Sequence, residues 1–412
     1  MYCTRKLTEQ VWWVGGSDRR LALFENLFPI TRGVSYNSYL ILDEQTAVVD
    51  TVDSSISRQF LENVLHTLDG RPLDYLVINH MEPDHCASIE TLLLRFPTLK
   101  LVGNAKTFAF MGQFYDFPLD GRTVTVKEGD TLSLGGHTLQ FHMTPMVHWP
   151  EVMMTYESSE KLLFSADAFG SFGATGGNLF NDELNFDRDW LDPPVTPRRA
   201  RPPPPRRYYG NIVGKYGLQV QAALKKLSGL DIAMICPLHG PIWRSNLDYL
   251  LDKYDKWSRY EPEERAVAVL YASMYGDTEN AVNLLAAGLA DAGVKNIAMH
   301  DISSTHVSTL ISEVFRCSHL VLAAPTYNNG VYPAMATFLH DMKALGLQNR
   351  TVALVENGSW APVSGKLMRE MLGELKGFQV LEPVVSLKSA LKDSSLEPLF
   401  QLRDRILDSL NG

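Results

Sequence analysis

After Tyr260 the chain alternates strand-like and helix-like runs without a break, and this rhythm limits what it can fold into more than any other feature. AVAVLYAS is followed by a helix from Asp277, IAMHDI by a helix near Ser308, LVLAAPTY by a helix from Pro333, and TVALVEN by a helix after Ser364; a last strand and helix close the series. Five such βα units predict a doubly wound five-stranded parallel sheet. The first half reads differently. NSYLILDEQTAVVDT, DYLVINH, LKLVGN, HTLQFHMTP, VMMTYES and KLLFSAD are short β-branched runs with helices interspersed, and three of them meet at tight turns between Gly135 and Asp167. That spacing predicts an antiparallel meander there. From Arg206, RRYYGNIVGKYGLQVQAALKKLSG predicts a long helix ending at Gly229, followed by the strand IAMICPLHG. At 412 residues the chain exceeds one ordinary core. The change of rhythm falls in the polar DKWSRYEPEER, which predicts domains 1–259 and 260–412.

Composition excludes several classes. Hydrophobic residues make up 45% and charged residues 21%, with no run near the roughly 20 apolar residues of a spanning helix. MYCTRKLTEQVWWVGG carries no secretory pattern, so a cytoplasmic location is expected, without a membrane. A net charge of -9 argues against nucleic acid as a partner. Cys3, Cys86, Cys236 and Cys317 form no CxxC pair, which disfavours a four-cysteine iron site or a disulfide framework. One segment fits neither half: PPVTPRRARPPPPRR, 193–207, holds seven of the 22 prolines and is expected to run as an extended loop. A solvated insertion is the first reading of it, a basic strip for an acidic redox partner the second, and a sequence anomaly the third.

His80, Glu82, Asp84 and His85 stand together in INHMEPDHCAS directly after a strand, and ligands at that spacing can converge on a small volume. His148 in PMVHWPE, Asp167 in FSADAFG and His239 in CPLHGP each end an apolar strand. Any one alone is more often a structural polar residue. Four strand ends all presenting His or carboxylate point to a metal centre.

The set resembles the metallo-β-lactamase superfamily, whose loop is HxHxDH, but Glu82 replaces the second His. That HxExDH form resembles the flavodiiron proteins (A-type flavoproteins), in which a metallo-β-lactamase domain precedes a flavodoxin domain, over essentially the whole chain. The resemblance implies an N-terminal αββα sandwich and two irons. His80, Glu82 and His148 would hold one iron, Asp84 and His239 the other, and Asp167 would bridge them. His85 would either ligate or sit nearby, and Trp149, in the HWP sequence, would line the pocket. A hard anionic donor at position 82 suits iron better than a zinc hydrolase.

In the second half SMYGDTEN, Ser273, Met274, Tyr275, Gly276, Asp277, Thr278, Glu279 and Asn280, links a strand to a helix whose N-terminus can receive a phosphate. The dinucleotide spacing GxGxxG is absent, which favours a single phosphate. Two later loops also lie at the carboxyl edge of the sheet: Pro325, Thr326, Tyr327, Asn328, Asn329 and Gly330, then Asn357, Gly358, Ser359 and Trp360. They resemble the flavodoxin loops that flank isoalloxazine, with Trp360 either covering the ring or packing. FMN is the cofactor this implies.

The resemblance implies reduction of O2 to water, of NO to N2O, or both, with electrons passed through FMN from an external donor, a rubredoxin-type protein or a reduced deazaflavin. It also implies a head-to-tail homodimer or a dimer of dimers. The alternatives are a zinc-dependent hydrolase of the same fold with a fused flavodoxin domain, and a flavodoxin-type electron carrier in which the metal loop is expendable.

Overall fold

The computed structural model describes residues 2–184 and 205–412. They divide into two units: one of residues 2–184, 205–209 and 218–255, the other of residues 210–217 and 256–412.

Two sheets form the first unit. One runs in the order Arg5–Lys6, Val11–Trp13, Tyr39–Leu42, Thr46–Val49, Tyr75–Val77, Lys100–Gly103, Thr123–Thr125. The last four are parallel, joined through helices that include Ser57–Leu68 and Ala105–Phe114. The second sheet is the meander Thr131–Ser133, Thr138–Met143, Met153–Glu157 and Leu162–Phe164, antiparallel as the turn spacing predicts, with Met234–Cys236 added in parallel at its edge. Tyr39, Ile41, Val49, Val77 and Val102 of the first sheet share one core with Leu139, Phe141, Met153 and Phe164 of the second. Leu40, Val48, Leu76 and Leu101, out of phase by one residue, are equally buried. The first sheet is therefore covered on both faces, and helix Ser57–Leu68 brings Phe60, Val64 and Leu68 into the buried interior.

The segment expected as one helix from Arg206 is not uniform. Arg206–Tyr208 is a single α-helical turn, Tyr209–Val213 a π turn and Gly214–Tyr216 a 3-10 turn; the regular helix is Gly217–Leu227. Within the second unit, close approach explains part of the irregularity, because a Cβ on Gly210 would meet the Phe315 ring at 3.0 Å. Residues 193–204 of the proline-rich tract lie outside the described residues. At its end the expectation of an extended loop fails: Arg206 and Arg207 open the helical turn, and Arg207 is buried, donating to the Pro29 carbonyl at 2.8 Å and lying over Phe172.

In the second unit the parallel strands stand in the order Ala298–Asp301, Glu264–Tyr271, Cys317–Tyr327, Thr351–Asn357, then the final strand, which is the doubly wound order 2-1-3-4-5. The final strand is split: Gln379–Val380 and Val385–Leu387 pair with opposite ends of Thr351–Asn357, leaving Pro383, which has no N–H to donate, in the gap. Val267, Val269, Val321, Ala353 and Val355 pack with Val282, Leu285 and Leu289 of Asp277–Asp291 and with Leu399, Leu402 and Ile406 of Asp393–Asn411. Among the described residues no helix is long and apolar enough to cross a membrane.

Candidate metal and flavin sites

The metal-ligating residue types expected from sequence come together. His80, Glu82, His148 and Asp167 form one cluster and Asp84, His85 and His239 a second. In the first, His148 Nε2 is 3.1 Å from Glu82 Oε2 and 3.0 Å from Asp167 Oδ2, and His80 Nε2 is 3.2 Å from Glu82 Oε2. In the second, His239 Nε2 is 3.3 Å and His85 Nε2 3.4 Å from Asp84 Oδ2. Asp167 faces both clusters, for its other oxygen, Oδ1, lies 3.1 Å from His85 Nε2 and 3.7 Å from His239 Nε2.

The arrangement is built from outside. Asp50 accepts from the backbone N–H of Asn79 and of His80, which fixes the turn out of strand Tyr75–Val77. Glu151, fully buried, accepts from the Met81 N–H at 2.9 Å and from His80 Nδ1 at 2.8 Å. The Ser35 carbonyl accepts from His239 Nδ1 at 2.8 Å. Gly240, next along, has φ +81, and a Cβ there would lie 2.4 Å from Ser171 Oγ. Thr51 donates its hydroxyl to the His85 carbonyl at 2.8 Å.

These outer bonds decide the chemistry of the inner atoms. Since His80 and His239 each donate from Nδ1, their Nε2 atoms carry lone pairs in the neutral ring. Yet His80 Nε2 faces His148 Nε2 at 3.4 Å, and His239 Nε2 faces His85 Nε2 at 3.1 Å. Opposed lone pairs among three carboxylates require protons or cations between them. Asp84 Oδ1 and Asp167 Oδ1 are buried with no hydrogen-bond partner among the described residues. Without a cation, protons take the role: burial works to lower His148 and His239, but hydrogen bonds and charge from Asp167 and Glu82, and from Asp84 and Asp167, hold them up at about 9. Burial opposes the ionised Asp167 carboxyl, and His85 and His148 nevertheless hold it well below the usual carboxylate range. Nitrogen and oxygen donors in two triads sharing one carboxylate fit a pair of metal ions.

The pocket opens on the side of Glu82 and Asp84, whose side chains are each 14% exposed, while the His80, His85 and His239 side chains are sealed. Trp149 lies edge-on to His80 with ring centroids 5.3 Å apart. Three residues that no local motif singles out also approach. Phe24 and Tyr208 lie 5.1 and 5.6 Å from the His239 ring, and the Tyr208 hydroxyl is buried without a partner among the described residues. Glu25, on the hairpin Leu23–Phe24 and Phe28–Pro29, has its carboxyl pushed up to about 7 by partial desolvation and the charges of Glu82, Asp167 and Asp84. Glu151 was legible only as the acid of HWPE; Glu25 and Tyr208 carry no local motif.

In the second unit the three expected loops gather at the carboxyl ends of the strands. Ser273 Oγ accepts from the N–H groups of Gly276 and Glu279, and Gly276 takes φ +91 just before helix Asp277–Asp291. Thr278 is buried, and its hydroxyl oxygen accepts from Asn357 at 3.3 Å, tying the first loop to the last. Asn328 and Asn329 take positive φ in a tight hairpin that pairs Thr326 with Val331. Thr326 Oγ1 accepts from the N–H groups of Val363 and Ser364. Glu279 turns its carboxylate to the Tyr271 hydroxyl, 2.9 Å away. A fourth loop completes the edge: Ser389 exchanges hydrogen bonds with Asn357 and pairs with the Ser359 hydroxyl. Tyr275 and Trp360 are 92% and 89% exposed on these loops, where their rings could cover a planar ligand.

Fold and site together define a metallo-β-lactamase-type dinuclear centre joined to a flavodoxin-like unit. Residues 34–193 match the model of the ODP family beta lactamase and residues 269–401 that of flavodoxin. The anaerobic nitric oxide reductase flavorubredoxin of Pectobacterium atrosepticum is 31% identical over 87% of this chain and 68% of its own length. The structure of rubredoxin oxygen:oxidoreductase from Desulfovibrio gigas superposes with a TM-score of 0.87 at 28% identity, covering 99% of both chains. The flavodiiron protein from Giardia intestinalis shares the fold, with a TM-score of 0.88 at 24% identity over 100% of this chain and 98% of its own. The chain belongs to the flavodiiron family.

Proposed function

We propose that the chain reduces dioxygen or nitric oxide at a pair of irons, with electrons passed through FMN from an external donor. One observation carries the reading: Asp167 presents one oxygen to each of two histidine–carboxylate clusters, in a chain that also carries a flavodoxin unit. His80, Glu82 and His148 would hold one iron, Asp84, His85 and His239 the other, and Asp167 would bridge. The inclusion of His85 is supported by its Nε2 lying as close to Asp167 and His239 as the other ring nitrogens lie to their partners. Glu82 adds an anionic oxygen where zinc hydrolases use imidazole, which supports iron.

The loaded cofactors would supply two electrons each, four to turn dioxygen into two waters, or two to turn two nitric oxides into nitrous oxide and water. The chain's own residues do the rest. Glu151 and the Ser35 carbonyl hold two imidazoles in the tautomer that leaves Nε2 free to bind. Phe24, Trp149 and Tyr208 set aromatic rings against the histidines and give the site apolar walls, which supports a small uncharged substrate. The Glu25 carboxyl, raised by partial desolvation and the neighbouring carboxylates, and the buried Tyr208 hydroxyl are candidate proton donors to the pocket. Ser273, Thr278 and the backbone N–H groups opening helix Asp277–Asp291 would take the FMN phosphate, and Thr326 to Gly330, Asn357 to Ser359 and Trp360 would flank the ring.

The reading takes a rubredoxin-type protein as donor, because rubredoxin stands in the names of both the flavorubredoxins and the Desulfovibrio gigas structure. It also takes a head-to-tail dimer, the flavin of each chain serving the irons of the other. A purified mixed dimer of a His80→Ala, Asp84→Ala chain with a Ser273→Ala, Thr278→Ala chain should then turn over, each parent being inactive; an inactive mixed dimer excludes transfer across the interface. Metal analysis tests the function itself. About two irons per chain and donor-dependent gas consumption are expected, whereas stoichiometric zinc without gas consumption would mean a hydrolase.

A further inference from the structure

A second constellation lies in the same sandwich at the opposite end of the strands. Strand Thr138–Met143 leads into the loop that carries His148, and strand Met153–Glu157 returns from it. At the far end, His137 precedes the first of these strands, Glu157 ends the second, and Glu160 lies in the turn to Leu162–Phe164. Their ligand atoms lie within 4.8 Å of one another.

His137 is prepared in the way His80 is. Its Nδ1 is 2.9 Å from Asp43 Oδ2, and Asp43 also accepts the His137 backbone N–H. One carboxylate oxygen of Asp43 thus accepts from both the His137 backbone N–H and Nδ1, which makes Nδ1 the ring's donor. That leaves Nε2 to face the acids. The His137 residue is 3% exposed, and Nε2 has no hydrogen-bond partner among the described residues. The nearest acid oxygen, Glu160 Oε2, is 3.7 Å away, too far for a hydrogen bond but close to the separation of two ligands each about 2.1 Å from a common ion. Glu157, fully buried, uses its two oxygens to accept the N–H groups of Ser159 and Glu160, which holds the turn with its carboxylate beside the ring. Thr8 donates its hydroxyl to Glu160 Oε2 and fixes that side chain as well. Asp43, Glu157 and Glu160 thus put three carboxylates around one imidazole, and among the described residues no lysine or arginine pairs with them.

We propose that His137, Glu157 and Glu160 form a third metal site, separate from the dinuclear pocket, that takes a single divalent cation such as zinc or manganese. One imidazole and two carboxylates suit these ions better than magnesium or calcium, which prefer oxygen alone. The Glu160 side chain is 27% exposed, so water completes the coordination. The role is structural. Asp43 belongs to the turn between Tyr39–Leu42 and Thr46–Val49 of the first sheet, so a cation on His137 fastens the second sheet to the first at the end away from the pocket.

The test uses the iron-loaded holoprotein and zinc(II), with iron and zinc counted in the same sample by elemental analysis and native mass spectrometry. The wild type should bind one zinc per chain without losing iron, and its melting temperature should rise. Glu160→Gln should weaken zinc binding roughly tenfold to a hundredfold and His137→Gln should abolish it, both with iron content unchanged. Retained iron and FMN also show that each variant has folded; Glu160→Gln, on the surface turn, serves should His137→Gln not fold. No zinc bound beyond the irons, or zinc bound equally by wild type and Glu160→Gln, would overturn the proposal. Neither result bears on the dinuclear pocket, which shares no residue with this site.

Discussion

The metal pocket and the flavin edge are built on opposite plans. In the pocket every candidate ligand is nearly or fully buried, and several are already held by a partner that does not itself face the metals: Glu151 for His80, Ser35 for His239, Thr51 for His85. Its geometry is set by the protein. At the flavin edge, loops are tied to one another through Thr278, Asn357, Thr326 and Ser389, yet Tyr275 and Trp360 stand in water. Geometry there is set only up to the ring. A metal site needs sub-ångström placement of few atoms, whereas a flavin is held by backbone donors and broad apolar contact, which tolerate an open edge.

The comparison breaks first if the pocket can lose a ligand and still work. Asp84→Ala and His148→Ala should each abolish donor-driven gas consumption and lower iron content, with FMN at wild-type stoichiometry; turnover at the wild-type rate in either would remove the metal centre from the mechanism. The reciprocal change is Ser273→Ala with Thr278→Ala. FMN should be lost and both irons kept, so that gas oxidises the protein once without sustained turnover, and steady turnover in flavin-free protein would contradict the separation of the two sites.

A smaller effect sharpens the claim that the pocket is organised from outside. Glu151→Gln keeps an acceptor for His80 Nδ1 but removes the charge, and iron affinity measured by chelator competition should fall roughly tenfold to a hundredfold. Unchanged affinity would make Glu151 a packing residue. A further test comes from protons. Carboxylate neighbours raise His148 and His239 to about 9 in the metal-free pocket, so both rings are protonated below that value and metal must displace the protons. Below pH 9 the apparent metal affinity should fall by roughly tenfold per pH unit for each proton displaced. Titration calorimetry in buffers of different ionisation enthalpy measures the protons released; none released at pH 7 would contradict the assignment.

Legibility in the sequence followed the same division. The alternation after Tyr260 announced the parallel sheet because its central strands are continuous apolar runs buried on both faces, separated by helices with an apolar side, so the pattern carries the signal. It could not announce the split of the last strand at Pro383, since Gln379–Val380 and Val385–Leu387 are too short to have a period. The ligand residues were legible because each ends an apolar strand, and strand ends gather at one sheet edge. Glu25 and Tyr208 were not, because they reach the pocket from a hairpin and an irregular helical turn whose paths depend on tertiary packing. Ser389 escaped for the same reason, its loop following a strand of three residues.

In the proposed function one chain type couples a flavin to a buried iron pair. The direct measurement is anaerobic stopped-flow of the fully reduced protein against dioxygen and against nitric oxide, following flavin and iron absorbance together. With at least one gas both chromophores should oxidise in linked phases, and rapid flavin oxidation should disappear in Asp84→Ala. Flavin oxidation at the same rate in wild type and Asp84→Ala would contradict that coupling, leaving the second unit an electron carrier and the pocket without a part in its reaction.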